Sequence, residues 1–295
     1  MKHAILGAGA IGGLMATALG YIGEDVALIV RPEKLPAYPE TLTLHQPERT
    51  ITAAAHPIAK LAAPVDVLWI ATKTYQLESA LQSIRATPRA IVPLLNGTDH
   101  VGLLRSRFGS ERVIPATIAV GADRKAEAEF VQGSLVRLHV AASGEPLLSK
   151  VLASLQERLG FICGFVANEQ TLLWTKLCFL APFALVTAAS GKNKGGVLAD
   201  PEWKAALESA IREALTVARA YGAVIEDSTI WTILDTSPAV MRSSMLKDLI
   251  AGRKLEVDGI GGPVVRGGEK FGIPTPTTRQ LMAEIEAMVS ANLET

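Results

Sequence analysis

The chain opens with MKHAILGAGAIGG, which places Gly7, Gly9 and Gly12 in the spacing G-x-G-x-x-G. This pattern constrains the fold more than any other feature, because of what flanks it. Residues 3 to 7, HAILG, read as a short buried strand. The following AIGGLMATALGYIG carries Ile11, Met15, Ala18 and Leu19 at helical spacing, with Gly23 suited to its end. A strand, a glycine turn and a helix in that order read as a dinucleotide-binding unit, the alternative being an ordinary glycine-rich strand-to-helix turn. The first glycine makes the tight turn and the second lets the backbone approach a pyrophosphate. The third lets helix and strand pack closely, and the phosphates sit at the helix N-terminus. The predicted cofactor loop is Gly7, Ala8, Gly9, Ala10, Ile11 and Gly12.

The pattern continues. Residues 25–30, 65–72, 90–95 and 112–120 read as further strands, with helices over YQLESALQSIR and near HVGLLRSRFG. Alternation of this kind predicts a parallel sheet covered on both faces. The stretch 127–140 alternates apolar and polar residues around QGS and reads as an antiparallel hairpin. PLLSKVLASLQERLG is an amphipathic helix, and FICGFVA a closing strand.

Past residue 168 the strand signal nearly vanishes. Residues 169–190, 201–221, 238–252 and 276–292 have helical period, and GIGGPVVRGGEKFGIPTP reads as tight helix connections. The predicted fold is an α/β Rossmann-like dinucleotide-binding domain over 1–167 followed by an all-α domain over 168–295. The 295 residues suffice for two domains.

One charge is out of place. The run TLLWTKLCFLAPFALVTAAS is almost wholly apolar, yet it contains Lys176. Its uninterrupted core, Leu177 to Ala189, is short of the roughly 20 residues a membrane span needs and contains Pro182, so a buried helix is expected. An isolated buried ammonium is costly, so Lys176 requires a reason: a snorkelling side chain at a helix start, or a polar site.

Basic and acidic residues balance at 29 each, which gives no excess of charge for nucleic acid or an anionic membrane. Two cysteines, Cys163 and Cys178, make neither a disulfide framework nor a metal cluster, and no metal site is predicted; buried free thiols in a cytoplasmic protein are expected.

The end of the second strand bears on the cofactor. Binders of NAD place an acidic residue there to accept ribose hydroxyls, whereas this strand ends at Arg31, with Lys34 nearby. A guanidinium suits a 2′-phosphate, so NADP(H) is the expected cofactor, the alternative being that Arg31 is merely a surface residue after a strand. Lys73 follows the third strand and Asn96-Gly97 the fourth, at the rim where ligands of open parallel sheets bind, although an Asn-Gly pair is also a plain turn signal.

The motifs GAGAIGG, ATKTYQ, LLNG, LLWTKL and SSMLKDLIAGRKLEVDGIGG together resemble the ketopantoate reductase family, from residue 1 to about 278. The last is the most specific, holding Ser243, Ser244, Met245, Asp248, Arg253, Glu256, Gly262 and Pro276 in step with the family pattern. The resemblance implies an active site in a cleft between the two domains and NADPH-dependent reduction of a 2-keto acid. It implies that Lys176 is the general acid and that Glu256 orients it and contacts cofactor or substrate. By the same resemblance Ser244 touches the substrate, and Asn96 lies near both the nicotinamide ribose and the substrate. Ketopantoate, converted to pantoate on the way to pantothenate and coenzyme A, is the first substrate implied.

The chain departs from the family in one helix. Positions four and eight after the lysine, where the family often carries asparagines, are Leu180 and Ala184. The pocket wall is therefore expected to be apolar, with Thr187 and Ser190 as potential substitutes. A same-fold reductase of a more apolar 2-keto acid, and a non-catalytic NADP-binding sensor, are the alternatives. A small-molecule substrate, no nucleic-acid or membrane partner and a cytoplasmic location are expected. The helical half could supply a homodimer interface, although its own core explains its apolar faces equally well.

Overall fold

The computed structural model describes residues 1–293. The chain divides into two compact units, Met1–Leu95 with His100–Asn168, and Asn96–Asp99 with Glu169–Thr295.

The first unit begins with β1 (Lys2–Leu6), α1 (Ala10–Tyr21), β2 (Asp25–Ile29), β3 (Thr41–His45), β4 (Thr50–Ala54), β5 (Pro57–Ile58) and β6 (Val67–Ile70). It continues through α2 (Leu77–Ala80), β7 (Ala90–Pro93), α3 (Asp99–Phe108), β8 (Ala116–Ala119), β9 (Ala122–Ala126) and β10 (Glu129–Gln132). It closes with β11 (Arg137–Ala141), α4 (Glu145–Leu159) and β12 (Ile162–Val166). Its main sheet is parallel, in the order β5-β2-β1-β6-β7. β1 lies inside it and is buried on both faces from His3 to Leu6, with Ala4 and Ile5 fully buried, as a strand covered on both sides must be. Leu6 is level with Ile29 and Ile70, and Ile70 with Pro93, so the chain leaves four strands at one rim.

Three expectations need correction. The 112–120 stretch is not one strand of the parallel sheet. Val113 bridges Ile91 beside β7, but Pro115 has no donor to continue the ladder, and β8 beyond it pairs antiparallel with β11 in a separate sheet, β12-β11-β8. Residues 127–140 are not a hairpin. β10 pairs antiparallel with β9 and parallel with β3, while β11 belongs to that other sheet; the hairpin is β9–β10, turning at Glu127 and Ala128, where Ala128 has φ 59°. YQLESALQSIR is not one helix. A single α turn, α2, sits between 3-10 turns, because the chain at Ile84 is drawn into extended pairing with Leu61. The β3–β4 hairpin has no counterpart in the sequence reading.

The second unit holds α5 (Glu169–Ser190), α6 (Lys194–Ala199), α7 (Pro201–Ala220), α8 (Asp227–Thr236), α9 (Ser244–Ile250), α10 (Val257–Phe271) and α11 (Pro276–Leu293). α5 is long and apolar enough to cross a membrane by length and composition, but 72% of that span is buried inside the protein. It packs against α7, α9, α10 and α11, so apolar residues on all its faces are core residues. Asp200 caps α7 by accepting from the backbone N–H groups of Glu202 and Trp203, and Pro201 takes the first position, where no donor is needed.

Two helical expectations also change. Residues 238–252 form a helix only from Ser244, capped by Ser243 Oγ accepting from Leu246 N at 3.1 Å. The glycine-rich stretch read as connections contains α10. Its glycines permit close packing: a Cβ on Gly261 would stand 2.7 Å from Met282 Sδ, and one on Gly267 2.4 Å from Val217 Cγ1. Tertiary contact overrides their poor helix propensity here.

Candidate active site

In the first unit, the glycine loop has the geometry its spacing requires. Gly7 has φ +106°, and a Cβ there would press within 2.9 Å of Ala71 O on the chain leaving β6. A Cβ on Gly12 would stand 1.7 Å from Gly7 O, so α1 starts against the turn only because residue 12 has no side chain. Gly9 differs: it precedes α1 with ordinary φ, and nothing lies within 4 Å of where its Cβ would be. Room at Gly9, over the free backbone N–H groups opening a helix through Ala10 and Ile11, fits a pyrophosphate. Beside the loop, Thr72 Oγ1 is buried and has no hydrogen-bond partner among the described residues, a polar atom suited to a ligand. The residues present therefore fit a dinucleotide.

Arg31 is exposed just past β2 and opens a 3-10 turn, Pro32–Ala37. Lys34, in that turn, is ion-paired with Glu127, which also faces Arg124 at 3.7 Å. Lys73 is half-buried past β6, at the rim shared with Gly7 and Arg31.

Asn96 follows β7 in the chain. It groups with the helical unit, as part of Asn96–Asp99. Gly97, at φ +77°, allows this: a Cβ there would stand 2.1 Å from Gly259 O in α10. The Asn-Gly pair is thus a close backbone docking as well as a turn.

The helical unit brings Lys176, Asn96 and Glu256 together. Lys176 Nζ donates to Asn96 Oδ1 at 3.0 Å, and Asn96 Nδ2 donates to Glu256 Oε2 at 3.4 Å. The amide can be oriented only one way, since the reverse would set NH2 against ammonium and oxygen against carboxylate. Glu256 is buried and lies at the residue preceding α10. Burial pulls the Lys176 pKa down to about 8, and the Glu256 charge opposes that fall. A lysine in this state exchanges a proton near neutral pH, as a general acid or base must.

The remaining candidates are placed less uniformly. Ser244 is exposed at the first position of α9. Its neighbour Ser243 is buried, capping α9 and lying 2.7 Å from Thr187 Oγ1. Thr187 in turn donates to Phe183 O at 2.7 Å, so it is spent on the core and does not replace a missing asparagine. Ser190 Oγ accepts from Lys192 N at 3.2 Å. Leu180 is half-buried one turn below Lys176, but Ala184 is fully buried and sits in the core, not in a pocket wall. Each step of four residues rotates about 40° around a helix, and two steps carry Ala184 off the lysine's face. Asp248, within the serine motif, accepts from Arg253 Nε at 2.7 Å and closes the turn after α9.

Burial pushes the Cys163 thiol up to about 11 and the Cys178 thiol up to about 12, which disfavours the nucleophilic thiolate at both. Among the described residues no group of His, Cys, Asp and Glu could hold a metal ion.

The sequence reading missed Asp99, Asp258 and Arg266. Arg266 bonds both carboxylates, Asp99 Oδ2 at 2.6 Å and Asp258 Oδ1 at 2.6 Å. A detectable signal existed, since Asp258, Gly262 and Arg266 recur every four residues along one helix.

The family model "Ketopantoate reductase PanE/ApbA" matches residues 3–144, and "Ketopantoate reductase PanE/ApbA C terminal" matches residues 168–289. A 2-dehydropantoate 2-reductase of Caulobacter vibrioides is 28% identical over 297 residues, covering 96% of this chain and 98% of that protein. The crystal structure of a PanE/ApbA family ketopantoate reductase from Ralstonia eutropha JMP134 superposes with TM-score 0.86 at 25% identity, covering 99% of each chain. The ternary structure of D-mandelate dehydrogenase with NADH and anilino(oxo)acetate has the same fold, with TM-score 0.87 at 21% identity over 99% of each chain. The chain belongs to the ketopantoate reductase family, dinucleotide-dependent oxidoreductases that act on a CH–OH group and reduce 2-keto acids.

Proposed function

We propose that this protein reduces 2-dehydropantoate to pantoate with NADPH, a cytoplasmic step toward pantothenate and coenzyme A. The observation that carries the proposal is the Lys176–Asn96–Glu256 array, whose lysine has a pKa of about 8. A nicotinamide held by the glycine loop would supply the hydride that the keto carbon takes up. The carbonyl electron pair moves onto oxygen, and Lys176 delivers the proton that oxygen needs. Asn96 Oδ1 keeps the ammonium aimed, and Glu256 keeps it protonated before the reaction. Ser244 is assigned to the substrate's carboxylate or hydroxyl. Gly7 to Gly12 and Lys73 are assigned to the dinucleotide, and Arg31 to its 2′-phosphate.

A second reading keeps the chemistry and changes the substrate. Leu180, half-buried one turn from Lys176, would give the site an apolar surface, and a site without a polar partner for a substrate hydroxyl discriminates weakly in that hydroxyl's favour. D-mandelate dehydrogenase, a protein of this fold, carries in its name a substrate with an aromatic side chain. The experiment is NADPH oxidation by the purified protein with ketopantoate and with branched or aromatic 2-keto acids. Preference for ketopantoate supports the first reading, and preference for the apolar acids supports the second. Binding of dinucleotide without oxidation by any acid would overturn both.

A further inference from the structure

Asn96 is held from beyond its own side chain. Three residues on, Asp99 Oδ2 accepts from Arg266 Nε at 2.9 Å and Nη2 at 2.6 Å. The same guanidinium donates from Nη1 to Asp258 Oδ1 at 2.6 Å and from Nη2 to the Asp258 carbonyl at 3.3 Å. One planar fork therefore ties the short Asn96–Asp99 segment to the first turn of α10, the helix that Glu256 opens. Gly262 lies between the two α10 residues. A Cβ there would stand 2.3 Å from Arg266 Nη2 and 2.6 Å from Asp258 Oδ1, so the guanidinium lies in space that any other residue would fill.

Such a network adds little to stability. The side chains of Arg266, Asp99 and Asp258 are 47%, 52% and 74% exposed, and ion pairs in water contribute little. What a bidentate guanidinium does supply is geometry. Resting on the reading of Lys176 as proton donor, we propose that Asp258, Arg266 and Asp99 form a positioning clamp that holds the Asn96 amide on Lys176, and that residue 262 is glycine to admit it. Without the clamp, Asn96–Asp99 keeps the Gly97 docking and the amide's own bonds to Lys176 and Glu256, but the segment that carries the amide loses its tie to α10 and the amide swings relative to Nζ. An ammonium that loses an acceptor is less favoured in its charged form. Glu256 supplies the charge that acts on Lys176, and it is left in place.

The test uses Arg266→Gln, Asp99→Asn, Gly262→Ala and Arg266→Lys. Two quantities are followed: the Lys176 titration, by NMR of 13Cε-labelled lysine with the signal assigned through Lys176→Met, and kcat against pH. The first three variants are expected to lower the Lys176 pKa and to reduce kcat by roughly 10- to 100-fold. Dinucleotide Kd should be unchanged and Tm should move by less than about 2 °C. Gly262→Ala separates the roles most sharply, because alanine favours the helix: Tm should hold or rise while kcat falls. Arg266→Lys keeps the charge without the fork and should recover only part of the loss. An unchanged Lys176 titration in all four variants would overturn the clamp, whatever the turnover. A fall in kcat that merely tracks a fall in Tm would overturn it too. Absence of turnover in the unaltered protein would sink the reductase reading instead, and the NMR titration would still decide the clamp.

Discussion

Lys176 Nζ lies 3.0 Å from Asn96 Oδ1, across 80 residues of chain. The acceptor is a neutral amide, so the ammonium gains a directed hydrogen bond without the full field of a contacting carboxylate. Glu256 acts through the far side of that amide, where Nδ2 donates to it at 3.4 Å. Burial brings the lysine pKa down to about 8 and the Glu256 charge opposes a further fall, a balance that suits the proposed donor role at neutral pH.

The alkaline limb of kcat follows from this. A general acid must carry its proton, so reduction should be steady at neutral pH and decline as pH rises through about 8. Burial lowers the Lys176 pKa and Glu256 raises it, so Glu256→Gln leaves burial unopposed and should move the limb to lower pH. The check is a kcat–pH profile for both proteins. A limb that stays put or moves upward would remove Glu256 from this role.

Cofactor preference should rest on Arg31 rather than Lys34. Lys34 is already neutralised by Glu127, whereas Arg31 is exposed where the chain leaves β2. Arg31→Asp should weaken NADPH relative to NADH by roughly 10- to 100-fold, the worth of a charge-assisted bond to phosphate. Lys34→Ala should cost less than about threefold, because the pair it leaves is solvent-exposed. Calorimetric Kd values for the two dinucleotides decide the matter, and equal preference before and after Arg31→Asp would discard the assignment.

Two glycines of one motif should fail in different ways. Gly12→Ala forces a Cβ to 1.7 Å from a backbone oxygen and should destabilise by at least about 2 kcal/mol. Gly9→Ala meets nothing within 4 Å and should change stability by less than about 0.5 kcal/mol, yet abolish tight dinucleotide binding by filling the space reserved for the pyrophosphate. Thermal melts alongside binding titrations test both. Normal binding by Gly9→Ala would displace the cofactor from this loop.

Leu180→Asn should raise turnover of ketopantoate relative to apolar keto acids by about tenfold, the gain of one hydrogen bond to the substrate hydroxyl. Measured kcat/KM ratios for the two substrate classes provide the test. No change in the ratio would mean that position 180 does not face the substrate.

How far these features could be read in advance depended on whether neighbours in sequence decided them. The bounds of α5 and the strand–glycine–helix unit were legible because periodicity and steric need act within a few residues. β8 was misread because its partner, β11, is chosen by the sheet, and only Pro115 hints that the chain leaves β7. α10 was taken for loops because five of its residues are glycine, whose packing value appears only beside Met282 and Val217. Lys176 was conspicuous as a charge in an apolar run. Arg266, Asp99 and Asp258 were not, since charges at the surface carry no such signal until their geometry is known. Of the two positions expected to line an apolar wall, Ala184 turns into the core, a burial decided by its neighbours in the folded unit rather than by its place in the sequence.

The central claim is that Lys176 delivers the proton, and it is tested most directly by turnover and dinucleotide affinity of Lys176→Met with the preferred 2-keto acid. The expected result is a kcat at least about 10²-fold lower, a dinucleotide Kd within about twofold of the unaltered protein, and a Tm that does not fall, since a costly desolvated ammonium has been removed. Turnover within a few-fold of normal would contradict the account, because some other group would then be delivering the proton.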